Sequence, residues 1–175
     1  FTITPNSTYH LDSVIVDGEF VDSLVSYTFN NVTANHTLTA KFSLQRFVIT
    51  ATAGQNGSIN PSGSISVNYG TNKRFTFSAI TNYHVDSVIV DGLPVVDSLV
   101  GYTFNNVTAN HTIRIAFKLN TYTINSTAGT NGSINPSGNV VVNYGATQRF
   151  TFSANNGYHV ESITVDGVPV DSLVG

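Results

Sequence analysis

The residues of this 175-residue chain able to do acid–base or metal chemistry are five histidines and ten acidic side chains, and their spacing is regular. His10, His84 and His159 each follow a tyrosine, and His36 and His111 each follow an asparagine. A metal centre would need these rings to converge with carboxylates. The chain has no closely spaced histidine pair, so each ring is expected at a strand or turn edge with its nitrogens hydrogen-bonded. The aspartates raise the question of calcium. Asp17 and Asp22 are five apart, as are Asp166 and Asp171, but Asp91 and Asp97 are six apart. A ligand cage tolerates such an insertion poorly. Asp before Gly is explained by a tight turn, and Asp in Asp-Ser-Leu-Val by capping or turn hydrogen bonds. Asp86 and Asp91, placed on one strand, would point to opposite faces and could not act as a close acid–base pair. There is no Gly-x-Ser-x-Gly elbow, no His-Glu-x-x-His, no phosphate loop and no thiol. No catalytic, cofactor-binding or metal residue is expected, and the chain is not expected to be an enzyme.

The elements that carry these residues recur. Tyr83–Gly92, Tyr-His-Val-Asp-Ser-Val-Ile-Val-Asp-Gly, returns with small edits at Tyr9–Gly18 and Tyr158–Gly167. Each copy is a β-branched run entering Asp-Gly, the signature of a strand turning into a hairpin. Phe1, Phe75 and Phe150 align, giving periods of 74 and 75 residues. One complete module is placed at 45–119, with a C-terminal part-module at 1–44 and an N-terminal part-module at 120–175. Both ends of the sequence then fall inside modules, as in a window on a longer array.

Within the complete module, Phe47, Ile49, Ala51 and Ala53 alternate with polar positions and mark a strand near 46–53. The cluster Asn56–Gly63, copied at 131–138, is expected to be turn. Strands near 64–69 and 73–80 flank Asn68-Tyr69-Gly70 as a second hairpin. The strand at 84–90 turns at Asp91-Gly92 into a short strand at Val95 and Val96. Tyr102–Thr112, identical to 27–37, is expected as strand, polar turn and strand, and Ile113, Ile115, Phe117 and Leu119 alternate in the last strand. The expected core is Phe75, Phe77, Val88, Val90, Phe104, Ile113, Ile115 and Phe117. No segment has a helical period, so the fold class is all-β. About seven short strands per module predict a small antiparallel sandwich, an open barrel or a helix-poor β-grasp-like sheet. The junctions Leu44-Gln45 and Leu119-Asn120 lack Gly, Pro and serine-rich runs, which predicts stiffly joined modules arranged as a rod.

Taken together, Asn-Gly-Ser-Ile-x-Pro-Ser-Gly, Val-Asn-Tyr-Gly, Phe-Thr-Phe-Ser, Tyr-His-Val-x-Ser-Val-x-Val-Asp-Gly and Tyr-Thr-Phe-x-x-Val-x-x-x-His-Thr-Ile resemble the divergent form of the internalin-B-type B repeat. The resemblance covers the whole chain as one full and two partial copies. It implies a tandem repeat of long secreted or cell-surface prokaryotic proteins, with a compact fold akin to the β-grasp, here in a helix-poor variant. That family carries no known catalytic residues, so none are implied here.

Composition narrows the partners. Charged residues make up 10% of the chain, and the net charge of -3 gives no basic field for nucleic acid. No apolar run approaches the ~20 residues of a membrane-spanning helix. Cys, Met and Trp are absent, which removes disulfides and oxidisable sulfur and leans towards an extracellular location. No signal peptide or anchor is visible in the segment. No lysine recurs in register, since Lys41 aligns with Ala116 and Lys118 with Ser43, so a crosslink repeated in each module is not expected. Asn-x-Ser/Thr sequons occur at Asn6, Asn31, Asn35, Asn56, Asn106, Asn110, Asn125 and Asn131, and the turns at Asn31, Asn35, Asn106 and Asn110 are the expected acceptors if the source glycosylates asparagine. Tyr69, Tyr83 and Tyr102 could stack on sugars if exposed. The leading expectation is a non-enzymatic stalk or spacer of a surface adhesin or a filament subunit, whose partners are the neighbouring repeats. The alternatives are a glycan- or protein-binding adhesive module and a filament in which identical chains exchange strands.

Overall fold

The computed structural model describes residues 1–22, 25–95 and 100–170, and among them there is no helix. The chain is all-β. It divides into two compact units, Phe1–Lys118 and Leu119–Gly175.

The first unit opens with β1 (Tyr9–Val16), β2 (Glu19–Asp22) and β3 (Leu38–Leu44), an antiparallel sheet in the order β2-β1-β3. Then come β4 (Arg46–Ala53), β5 (Gly57–Asn60), β6 (Gly63–Asn68), β7 (Lys73–Ala79), β8 (Tyr83–Val90), β9 (Leu93–Val95), β10 (Gly101–Phe104) and β11 (His111–Leu119). These eight build two sheets, one in the order β6-β4-β11-β8-β9 and one in the order β10-β7-β5. The first and last of them, β4 and β11, lie side by side at the centre of the larger sheet and run parallel, His111 to Ile115 against Ile49 to Ala53. Strands joined through the whole module, not through a tight turn, are free to run the same way.

The core lies between the two sheets. Ile49 and Ala51 of β4, Phe75 of β7, Val88 and Val90 of β8, Phe104, and Ile113 and Ile115 of β11 are buried together with Ile59, Val67 and Val107, while Phe77 and Phe117 pack against them half-buried. Each fully buried aliphatic or aromatic side chain contributes about 1.5–3 kcal/mol relative to exposure. The period of two in β4 and β11 delivers these residues to one face and sends Thr50, Thr52, Thr112 and Arg114 to solvent.

Several sequence expectations are corrected. The cluster Asn56–Gly63 is not all turn: β5 runs through Gly57–Asn60 against β7, because Ile59 is drawn into the core. The strands either side of Asn68-Tyr69-Gly70 are not a hairpin. β6 pairs with β4 and β7 with β5 and β10, so this connection passes from one sheet to the other. Asp91 does not share a strand with Asp86. It is the first turn residue beyond β8, with φ 51° followed by 81° at Gly92. The sheets are not purely antiparallel, since β4 and β11 pair in parallel. The short strand after that turn is Leu93–Val95. Val96, Asp97 and Asp171 lie outside the described residues.

Among its described residues the second unit holds three strand pairs: β12 (Thr121–Ser126) with β14 (Gly138–Asn143), β13 (Gly132–Asn135) with β15 (Thr151–Ala154), and β16 (Thr164–Val165) with β17 (Val168–Pro169), all antiparallel. They repeat the pairings of β4 with β6, β5 with β7 and β8 with β9. Ser126, where β4 has Ala51, is buried and donates to the Pro136 carbonyl at 2.8 Å.

Candidate functional site

The Asp-Gly turns organise two side-chain ion pairs, His36 with Asp17 and His111 with Asp91. In the complete module the Asp91 N–H donates to the Thr112 carbonyl at 3.0 Å. The carboxylate reaches back across the same gap: Oδ1 accepts the Thr112 N–H at 2.7 Å, and Oδ2 accepts the Nδ1–H of His111 at 2.6 Å. A carboxylate only accepts, so the His111 proton sits on Nδ1. The ring is tilted over Phe104 at 4.8 Å, and Phe104 meets Tyr102 edge-on at 4.9 Å. The same clasp forms in the first part-module, where Asp17 accepts from Thr37 and His36 at 2.7 Å each and His36 stacks on Phe29 at 4.9 Å.

These contacts set the acidity of the two aspartates. The Thr37 N–H, followed by His36, holds the Asp17 carboxyl below its ordinary value. At Asp91 partial burial pushes the carboxyl up, but the Thr112 N–H and His111 outweigh it, and the net shift is also downward. Chemically the arrangement fixes the turn after β8 to the start of β11, and the turn after β1 to the start of β3. The Asp-Gly turn geometry was legible in the sequence. The clasp was not, although the recurrence of Asn-His-Thr at 35–37 and 110–112, after Asp17-Gly18 and Asp91-Gly92, was the available signal.

The other singled-out residues are dispersed. His10 meets Ser43 Oγ at 3.1 Å across the β1–β3 pair, and His159 is exposed. Among the described residues no three His, Asp or Glu side chains gather as a metal site. Asn31, Asn35, Asn106 and Asn110 are all exposed, the first and third at turn positions with φ 46° and 48°. Asn110 has a task besides exposure, for its Oδ1 accepts the Val48 N–H at 2.8 Å and carries the β4–β11 ladder one step further. Tyr102 is half-buried against the core.

Residues 122–173 match the family model of the divergent InlB B-repeat domain, in agreement with the resemblance carried by the repeated motifs. That family is generally associated with cell-surface proteins. The comparisons with curated proteins and with solved structures gave no match.

Proposed function

We propose that this chain is a non-enzymatic structural segment of an extracellular surface protein, a spacer whose tandem modules give reach and stiffness. The observation that carries this reading is the junction at Gln45. A single residue separates β3 from β4, and it is pinned on both sides: its N–H donates to the Thr8 carbonyl of the preceding part-module at 2.9 Å, and its carbonyl accepts the Tyr69 N–H at 2.8 Å. In the second unit the Tyr144 N–H donates in the same way to the Asn120 carbonyl at 2.8 Å. A linker one residue long with both backbone groups engaged leaves little freedom for bending. Small-angle X-ray scattering on the 175-residue chain, with and without a Gly-Gly-Ser-Gly insertion between Leu44 and Gln45, tests this. The native junction should give a defined distance distribution and the insertion a broadened one; identical distributions would remove the basis for the reading.

A second reading, strand exchange between identical chains, is favoured by the open edges of the complete module. Its larger sheet ends in β6 and β9, each paired on one side among the described residues, and an unpaired edge can take up a strand of another chain. Light scattering that shows a strict monomer at all concentrations would eliminate it.

A further inference from the structure

We infer that the complete module is built to bear tension applied along the chain, with the parallel β4–β11 pair as the element that resists it. This builds on the spacer reading, in which tension enters a module through its neighbours. The chain enters at the start of β4 and leaves at the end of β11. Since these strands are parallel and adjacent, entry and exit lie at opposite ends of the pair. A pull on the two ends therefore drags β4 and β11 past each other along their own lengths. All bonds of the ladder are loaded together, whereas a hairpin pulled apart at its open end loses them one at a time.

Three features strengthen this ladder against sliding. It spans five residue pairs, from His111 with Ile49 to Ile115 with Ala53. Its ends are extended by the Val48 N–H to Asn110 Oδ1 at 2.8 Å and by the Gly54 N–H to the Ile115 carbonyl at 2.8 Å. On its inner face Ile49, Ala51, Ile113 and Ile115 are at most 1% exposed. Slippage by one residue would turn each strand's apolar set towards solvent, so the transition state for sliding loses hydrogen bonds and burial at once. Forced unfolding is governed by the height of that barrier, not by equilibrium stability.

Single-molecule force spectroscopy of the 175-residue chain between marker domains tests the inference. Release of Arg46–Leu119 lengthens the tether by roughly 200–250 Å at about 3.3–3.6 Å per residue, which identifies the event. The chain has no cysteine, so a double variant, Arg46→Cys with Asn68→Cys, supplies two unique attachment points. These positions face each other at one end of the β4–β6 pair, and pulling there unzips it. The end-to-end pull is expected to need a several-fold higher force at the same loading rate. Asn110→Ala is expected to lower the end-to-end force and leave the 46–68 force unchanged. An end-to-end force at or below the 46–68 force overturns the inference, as does an Asn110→Ala effect that is equal in the two directions or absent from both. The scattering experiment above can fail while this one succeeds, so spacing and force-bearing are judged separately.

Discussion

At the scale of single residues, the clasp makes stability depend on acidity. The ordinary value for both aspartates is 3.8, and in the folded chain both lie below it. A depressed carboxylate contributes stability that is whole above the unfolded value and lost as pH falls through the folded one. The melting temperature is therefore expected to drop as pH is lowered below about 4, and Asp91→Asn is expected to flatten that drop while lowering stability at neutral pH; thermal melts at a series of pH values check both. A second residue prediction concerns Gly57. A Cβ built there would stand 2.3 Å from the Phe117 ring, so the ring lies directly on the glycine. Gly57→Ala is expected to cost about 1–3 kcal/mol, read by urea titration, because overpacking displaces the ring or the strand. Neither role was visible in the sequence. Gly57 reads as a turn glycine within Asn-Gly-Ser, and what decides its role is a side chain sixty residues further along.

At the scale of elements, strand length follows the number of neighbours. β7, with partners on both sides, runs seven residues, while its counterpart β15, paired on one side, runs four. β8 runs eight residues between β11 and β9, and β16 only two. The sequences are nearly the same, so local preference marks where a strand lies and pairing decides how far it extends. This is also the boundary of what alternation reveals. The period of two marked Ile49, Ala51, Ile113 and Ile115 as facing one way, but it could not say that their strands are adjacent or parallel, because pairing between distant segments leaves no local trace. Asn110 sits at that seam. Asn110→Ala is expected to lower stability by about 1 kcal/mol through loss of the Val48 bond and to speed hydrogen exchange of the Val48 amide while leaving that of β7 unchanged.

At the scale of the molecule, the modules within the first unit share a backbone residue, not a tether. Gln45→Pro removes the N–H that reaches Thr8, one of the two bonds that pin the junction, while Leu44 at the end of β3 already has the extended geometry a following proline requires. The variant is expected to keep the melting transition of the complete module and to broaden the scattering distance distribution, separating coupling from folding. The repeat itself was legible from the recurring motifs, as was the absence of helix. The two-sheet arrangement was not, since the connections at Asn68–Gly70 and after Phe104 look like hairpin turns and are crossings between sheets.

The engaged carboxylates also bear on how the chain ages. In an Asp-Gly pair the glycine nitrogen can close on the neighbouring side-chain carbon, expelling water to form a cyclic imide that reopens as isoaspartate, and this requires a carboxyl free to turn and take up a proton. Asp17 and Asp91 have both oxygens occupied. Asp166 adopts the same turn, with φ 51° followed by 78° at Gly167. Peptide mapping after long incubation at neutral pH is expected to find more isoaspartate at Asp91 in a His111→Ala variant, which frees one of the Asp91 oxygens, so that the clasp also guards the turn against chemical wear.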